Sequence, residues 1–273
     1  MTRTANSRAA VSRIDDDWVV GCGWFCQAVA VAERQRPEEL LDDDVLAASA
    51  VVANCAMNRE RQLTGVNSYA RELGFDPVEL LTAALADPKR GSTSVAWLDL
   101  CCGTGRAVIQ AAERMVRAGL AGRTELVGVD LVSAFDPAPG ITGLQLCRAQ
   151  VTAWTPSRSF DLITCVHGLH YVGDKLGMLA RAASWLTDTG QLVADLDLSN
   201  IRLDDGRPAG RRLTARLQAA GFRYNHRRHR ISCIGRRDAR LPYTYLGADD
   251  HAGANYTGQP AVHSLYRDDE RCR

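Results

Sequence analysis

Two short segments concentrate residue types that can do chemistry: WLDLCCGTGRAV, residues 97–108, and CVHGLHY, residues 165–171. The adjacent Cys101 and Cys102 raise three alternatives: a metal site, a redox pair, or small side chains inside a nucleotide-binding turn. A metal needs further ligands at usable spacing. CGWFC has no second pair nearby, and HRRH has no cysteine partner. Asp195 and Asp197 share one face of a strand, but no acid after FDLITCV completes a magnesium set. No metal is therefore expected. Gly103 and Gly105 let the backbone approach a ligand, and the helix predicted from Arg106 aims its amide-rich N-terminus at the same place. The dinucleotide fingerprint fails because Val108 stands where its third glycine belongs, and the P-loop lysine is missing. In the second segment His167 and His170 are candidate general bases, because imidazole titrates near neutral pH.

Alternating apolar runs and helical stretches must hold these segments in place. SVAWLDL, TELVGVDL, LQLCRAQ, FDLITCV and QLVADLDL read as buried parallel strands, and RAVIQAAERMVRAG and KLGMLARAASWL read as helices between them. PAGRRLTARLQAAGF predicts a further helix, RYNHRRHRISCIG follows it, and AVHSLY offers one more strand. Before Ser92 the pattern is helical. A long helix is expected over Pro37–Leu63, with acids first and arginines last. Ser68 caps a short helix that Gly74 ends, and Asp76-Pro77 starts another. The expected organisation is a frayed tail over 1–13, a helical cover over 14–91, and a core with a C-terminal pocket-forming segment over 92–273.

Composition bounds the rest. The chain has 273 residues, 46% hydrophobic, with a formal net charge of +1, so no global field attracts nucleic acid or anionic membrane. Its 9 cysteines are odd in number and sit mostly in apolar runs, as expected for a reducing, cytoplasmic setting. The apolar run Trp18–Ala32 follows three aspartates and is too short to span a bilayer. Residues 201–240 hold 12 arginines, but arginine supplies 31 of the 33 basic residues, so the enrichment runs along the whole chain.

The segment Asp99-Leu100-Cys101-Cys102-Gly103-Thr104-Gly105 resembles motif I of the class I S-adenosylmethionine-dependent methyltransferases, with Cys101 where that family usually has glycine. The resemblance runs collinearly across roughly residues 95–200. It implies a doubly wound, Rossmann-like, seven-stranded α/β sheet with helices on both faces. By the same resemblance Asp130 accepts from the ribose hydroxyls, which suits an ionised carboxylate, all acceptor. Gln150 replaces the family's acid beside the adenine amine, and the Val151 amide meets the ring. Leu131 and Val166 belong to the same cofactor walls. Tyr69 and Arg71, on the helical cover, are placed to close over S-adenosylmethionine, Arg71 against its carboxylate.

The expected activity is methyl transfer to an oxygen or nitrogen of a small molecule, with a peptide-like natural product as one acceptor class. His170 or His167 would serve as base. Tyr243, Tyr245, Asp249, Asp250 and Tyr256 are candidates for the pocket wall. No nucleic acid or membrane partner is expected. The alternatives are an RNA methyltransferase and a cofactor-binding module without catalysis, the latter suggested by Cys101 and Gln150.

Overall fold

The computed structural model describes residues 40–52, 61–90, 93–132 and 134–270. The expected tail over 1–13 and the apolar run of residues 18–32 lie outside them.

Two-sided burial explains the strands. β1 (Val95–Leu100) and β4 (Phe160–Cys165) are buried at every position, and β2 (Thr124–Asp130) at all but one. With β3 (Leu144–Arg148) and β5 (Leu186–Asp195) they form a parallel block. β8 (Arg230–Ile234) joins β5 antiparallel and β7 (Arg223–Asn225) closes the edge, giving the order β3-β2-β1-β4-β5-β8-β7. The chain steps outward from β1 in one direction through β2 and β3, and in the other through β4 and β5. Such a reversal opens a crevice at the carboxyl ends of β1 and β4.

Helices α4 (Arg106–Arg117), α5 (Lys175–Ser184) and α6 (Gly210–Ala219) turn apolar faces to the sheet. α2 (Tyr69–Leu73) starts at Ser68, whose hydroxyl accepts from the Arg71 amide, and stops at left-handed Gly74. α3 (Pro77–Ala86) starts at the Asp76 cap with proline in its first turn. Tyr69, Leu73, Val78 and Leu81 share one core with Trp97 and Val108. The packing of α2 and α3 is therefore continuous with that of β1 and α4.

Three findings differ from expectation. The helix α1 covers only Asp43–Ala47, and Ala48–Val52 is turn, so no continuous helix spans Pro37–Leu63. Leu46 is its one buried residue, which leaves a longer helix no face to rest on. β5 begins before QLVADLDL, because Leu186 pairs with Phe160 ahead of a register shift. AVHSLY joins a second sheet, ordered β6 (Ile201–Leu203), β10 (His263–Asp268), β9 (Tyr243–Asp249). The buried Lys175 ammonium ties this sheet to α5 by donating to the Val172 and Val262 carbonyls and the Ser264 hydroxyl, each at 2.8 Å.

Asp99 was expected at the cofactor and is instead fully buried beneath the turn. Its Oδ2 accepts from the Tyr69 hydroxyl at 2.7 Å and its Oδ1 from the Thr164 hydroxyl at 2.6 Å. Thr164 Oγ1 in turn accepts from the Trp97 indole at 2.7 Å. Burial pushes the Asp99 carboxyl up to about 7, against the two hydrogen bonds. The folded state thus retains a proton that the unfolded chain releases, and this contribution to stability is lost as pH rises from about 4 to about 7. Thermal unfolding of the wild type and Asp99→Asn across that range is expected to show the wild type losing stability relative to the variant. Parallel curves would contradict it.

Candidate active site at the carboxyl edge of the sheet

The chain leaves β1 through a turn in which Cys101, Gly103 and Gly105 all have positive φ, 58°, 63° and 74°. Glycine adopts this conformation freely, whereas a non-glycine residue there costs about 1–2 kcal/mol. The turn is fixed by two backbone donors: the Cys102 amide to the Val129 carbonyl at 3.1 Å, and the Gly103 amide to Asp130 Oδ2 at 2.9 Å. Asp130 ends β2, and its Oδ1 accepts from the Val132 amide.

A cleft of about 1190 Å³, mouth included, opens beside this turn. Cys101, Cys102 and Gly103 line it together with Asp130, Leu131 and Tyr69. Gln150, Val151, Val166, His167 and His170 line it as well. The Gln150 amide nitrogen donates to the Asp43 carbonyl, which orients its side chain under α1. Thr104, Gly105 and Arg71 do not line the cleft. The Thr104 carbonyl accepts from the Asp136 amide, and Gly105 shapes the turn against Leu146. Arg71 is exposed and its guanidinium donates to the Val66 carbonyl.

Arg61 is the guanidinium on the wall, with Nη1 at 2.9 Å from both Asn67 Oδ1 and Glu72 Oε1. Nothing in residue type or spacing separates Arg61 from the many other arginines of this chain. Asn255, Thr257 and Gln259, from the loop between β9 and β10, supply a polar wall. Of the aromatic and acidic residues expected there, Tyr245 instead donates to Asp43, and Tyr256 stacks on His229 at 4.1 Å.

His167 sits just after β4 with φ 59°. Its Nε2 faces Glu72 Oε1 at 3.5 Å and Asp195 Oδ2 at 3.8 Å, and its amide donates to that same Asp195 oxygen at 3.2 Å. Interaction with the His167 ring holds the Glu72 carboxyl below its usual range, against burial. Burial pushes the Asp195 carboxyl up. Ligand atoms of Glu72, His167 and Asp195 lie within 4.8 Å of one another. Arg61 and Arg230 already set two guanidinium charges against these carboxylates, which disfavours a cation among them. His170 is buried, with neither ring nitrogen hydrogen-bonded among the described residues, and burial pushes it down to about 3.

The thiol of Cys101 packs against β4. A Cβ built on Gly168 would overlap Cys101 Cβ and stand 2.9 Å from the sulfurs of Cys101 and Cys165. The adjacent Cys101 thiol, together with burial, pushes the Cys165 thiol up.

A family model described as a methyltransferase domain matches residues 66–238. No curated protein matches the chain. Among solved structures, similarity is found to the plantazolicin methyltransferase BpumL in complex with SAH, at 14% identity and TM-score 0.39, covering 58% of each chain. Coclaurine N-methyltransferase bound to N-methylheliamine and SAH is similar at 15% identity and TM-score 0.34, over 54% of this chain and 44% of that one. A StiE O-MT fragment is similar at 16% identity and TM-score 0.32, over 37% and 36%. The chain thus spans less than two thirds of the length of each of these structures.

Replacing Cys101 tests the cost of its backbone conformation. Cys101→Gly is expected to be more stable than Cys101→Ala by about 1 kcal/mol, because only glycine relieves the left-handed residue. Chemical denaturation of the two variants measures the difference, and an alanine variant as stable as the glycine variant would contradict it. For the cleft walls, Asp130→Asn is expected to weaken S-adenosylhomocysteine binding about 10- to 100-fold in calorimetry. Arg61→Ala should weaken it more than Arg71→Ala, and the reverse order would return the role to Arg71.

Proposed function

Because the chain belongs to the methyltransferase-domain family, we propose that it transfers a methyl group from S-adenosylmethionine to an oxygen or nitrogen of a small molecule, with a peptide-like natural product as one acceptor class. The observation that carries this reading is one cleft lined both by the Gly103 turn with Asp130 and Gln150, and by His167 with His170.

The donor set suits the cofactor chemically. The Asp130 carboxylate is an acceptor for hydroxyl donors, and the Gln150 amide oxygen is an acceptor for an amine. Leu131, Val151 and Val166 offer apolar surface to a purine, and Gly103 lets the backbone come close. Arg61 carries charge complementary to a carboxylate. When bound, S-adenosylmethionine supplies an electrophilic methyl group on a sulfonium centre.

The protein's own work is to orient the acceptor, take its proton and exclude water. His167 is the group suited to hold that proton, because an imidazolium there faces the Glu72 and Asp195 carboxylates. His170, kept neutral by burial, orients the acceptor by accepting a hydrogen bond. Leu46, Val51 and Val52 give the cleft an apolar wall that sheds water. A cytoplasmic place of action accords with the free Cys101, Cys102, Cys147, Cys165 and Cys233. Among the described residues no helix is long and apolar enough to cross a membrane.

A second reading, cofactor binding without turnover, is favoured by the substituted positions Cys101 and Gln150. Calorimetry with S-adenosylhomocysteine is expected to give one site per chain, and the absence of binding would sink both readings. With an accepted substrate, His167→Gln should lower turnover about 10²-fold while leaving S-adenosylhomocysteine affinity unchanged. Undiminished turnover would remove His167 as base.

A further inference from the structure

At the far end of the seven-stranded sheet, Val193 of β5, Ser232 of β8 and Arg223 of β7 stand in one row across the strands. The connection from β7 to β8 exposes His226, Arg227 and Arg228, and Arg223 is exposed on β7 itself. Together with Leu73 at the end of α2 and Phe75 in the link to α3, they line a groove of about 1110 Å³, mouth included. It is separate from the cofactor cleft, with which it shares no lining residue.

The charge in this groove has one sign. None of its lining residues is an acid. Elsewhere some guanidinium groups close onto carboxylates, as in Arg90–Asp161, Arg114–Asp76 and Arg216–Asp268, and others, such as Arg181 and Arg236, donate to backbone carbonyls. Arg223, Arg227 and Arg228 form no ion pair among the described residues, whereas Arg230 beside them is engaged with the Leu73 carbonyl and Asp195. Cations gathered around one concavity raise the local potential and attract an anionic partner. Leu73, Phe75 and Val193 add apolar surface to the same groove.

We propose that this groove docks an acidic peptide segment laid across the face of β5, β8 and β7, with its carboxylates on Arg223, Arg227 and Arg228 and an apolar side chain against Leu73 and Phe75. The arginine rim selects for acids. A nucleic acid fits less well, because single-strand binding uses open aromatic faces. Here the Tyr224 ring packs edge-on against His226, and its hydroxyl donates to the Leu196 carbonyl.

The probe is a fluorescein-labelled peptide of alternating glutamate and leucine, followed by anisotropy on the full chain. The wild type is expected to bind it, with affinity falling as salt rises, and to bind an alternating lysine–leucine peptide far more weakly. Arg227→Glu combined with Arg228→Glu should weaken binding about tenfold or more. Arg211→Glu, an exposed arginine of α6 outside the groove, should leave it unchanged. S-adenosylhomocysteine affinity reports that each variant is folded. No binding to the wild type, or equal binding by the double variant, would overturn the proposal. So would a single-stranded oligonucleotide of equal charge that binds more tightly and is lost in the same variant.

Discussion

A single buried carboxylate holds the working end of this protein together. Asp99 lies under the turn that follows β1 and accepts one hydroxyl from α2 and one from β4. Burying an ionisable group without such partners is costly, and each partner is left wanting if the carboxylate is removed. Through this one side chain the helix that precedes the sheet, the strand that delivers the turn and the strand that delivers His167 share a reference point. The cleft inherits its shape from that arrangement. Tyr69, which lines the cleft, is anchored from below rather than by anything in the cleft.

The division of labour along the sheet follows from its reversal of direction. β1 and β2 end in backbone amides and a carboxylate, groups suited to grip a polar ligand. β4 leads into His167 and β5 ends in Asp195, an imidazole and a carboxyl that face one another. Glu72, from α2, reaches into the second set, so the helix anchored by Asp99 also completes the surroundings of the imidazole. Residues 61–90 are therefore part of the site's construction, and their shared core with β1 and α4 is the packing expression of that fact.

Much of this was legible in the residues. Strands buried on both faces show as nearly unbroken apolar runs, and β1, β2 and β4 appear where those runs stand, whereas the edge strand β3 is only partly buried. Ser68, Gly74 and Asp76 mark helix ends because capping chemistry is local. What escaped depends on contacts between distant segments. An acid at the end of a strand reads as a ligand contact, but which side of the sheet Asp99 faces is settled by Tyr69 and Thr164. Arg61 and Arg71 are indistinguishable until the chain folds. The second sheet pairs strands from residues 201–268, and nothing local announces that β10 leaves the main sheet to lie beside β6. The abbreviated α1 follows the same rule, since its apolar residues look helical until Leu46 proves to be the one buried side chain.

The contact between Cys101 and Gly168 carries an evolutionary consequence. A methyl group at 168 and a side chain at 101 compete for the same space. The two positions are therefore epistatic: glycine at 168 permits either glycine or cysteine at 101, whereas alanine at 168 permits only glycine there. A lineage could acquire the cysteine only on a background that already had Gly168, and once it had done so, position 168 lost its freedom to vary. In an alignment of descendants, a residue other than glycine at 168 should stand only beside glycine at 101.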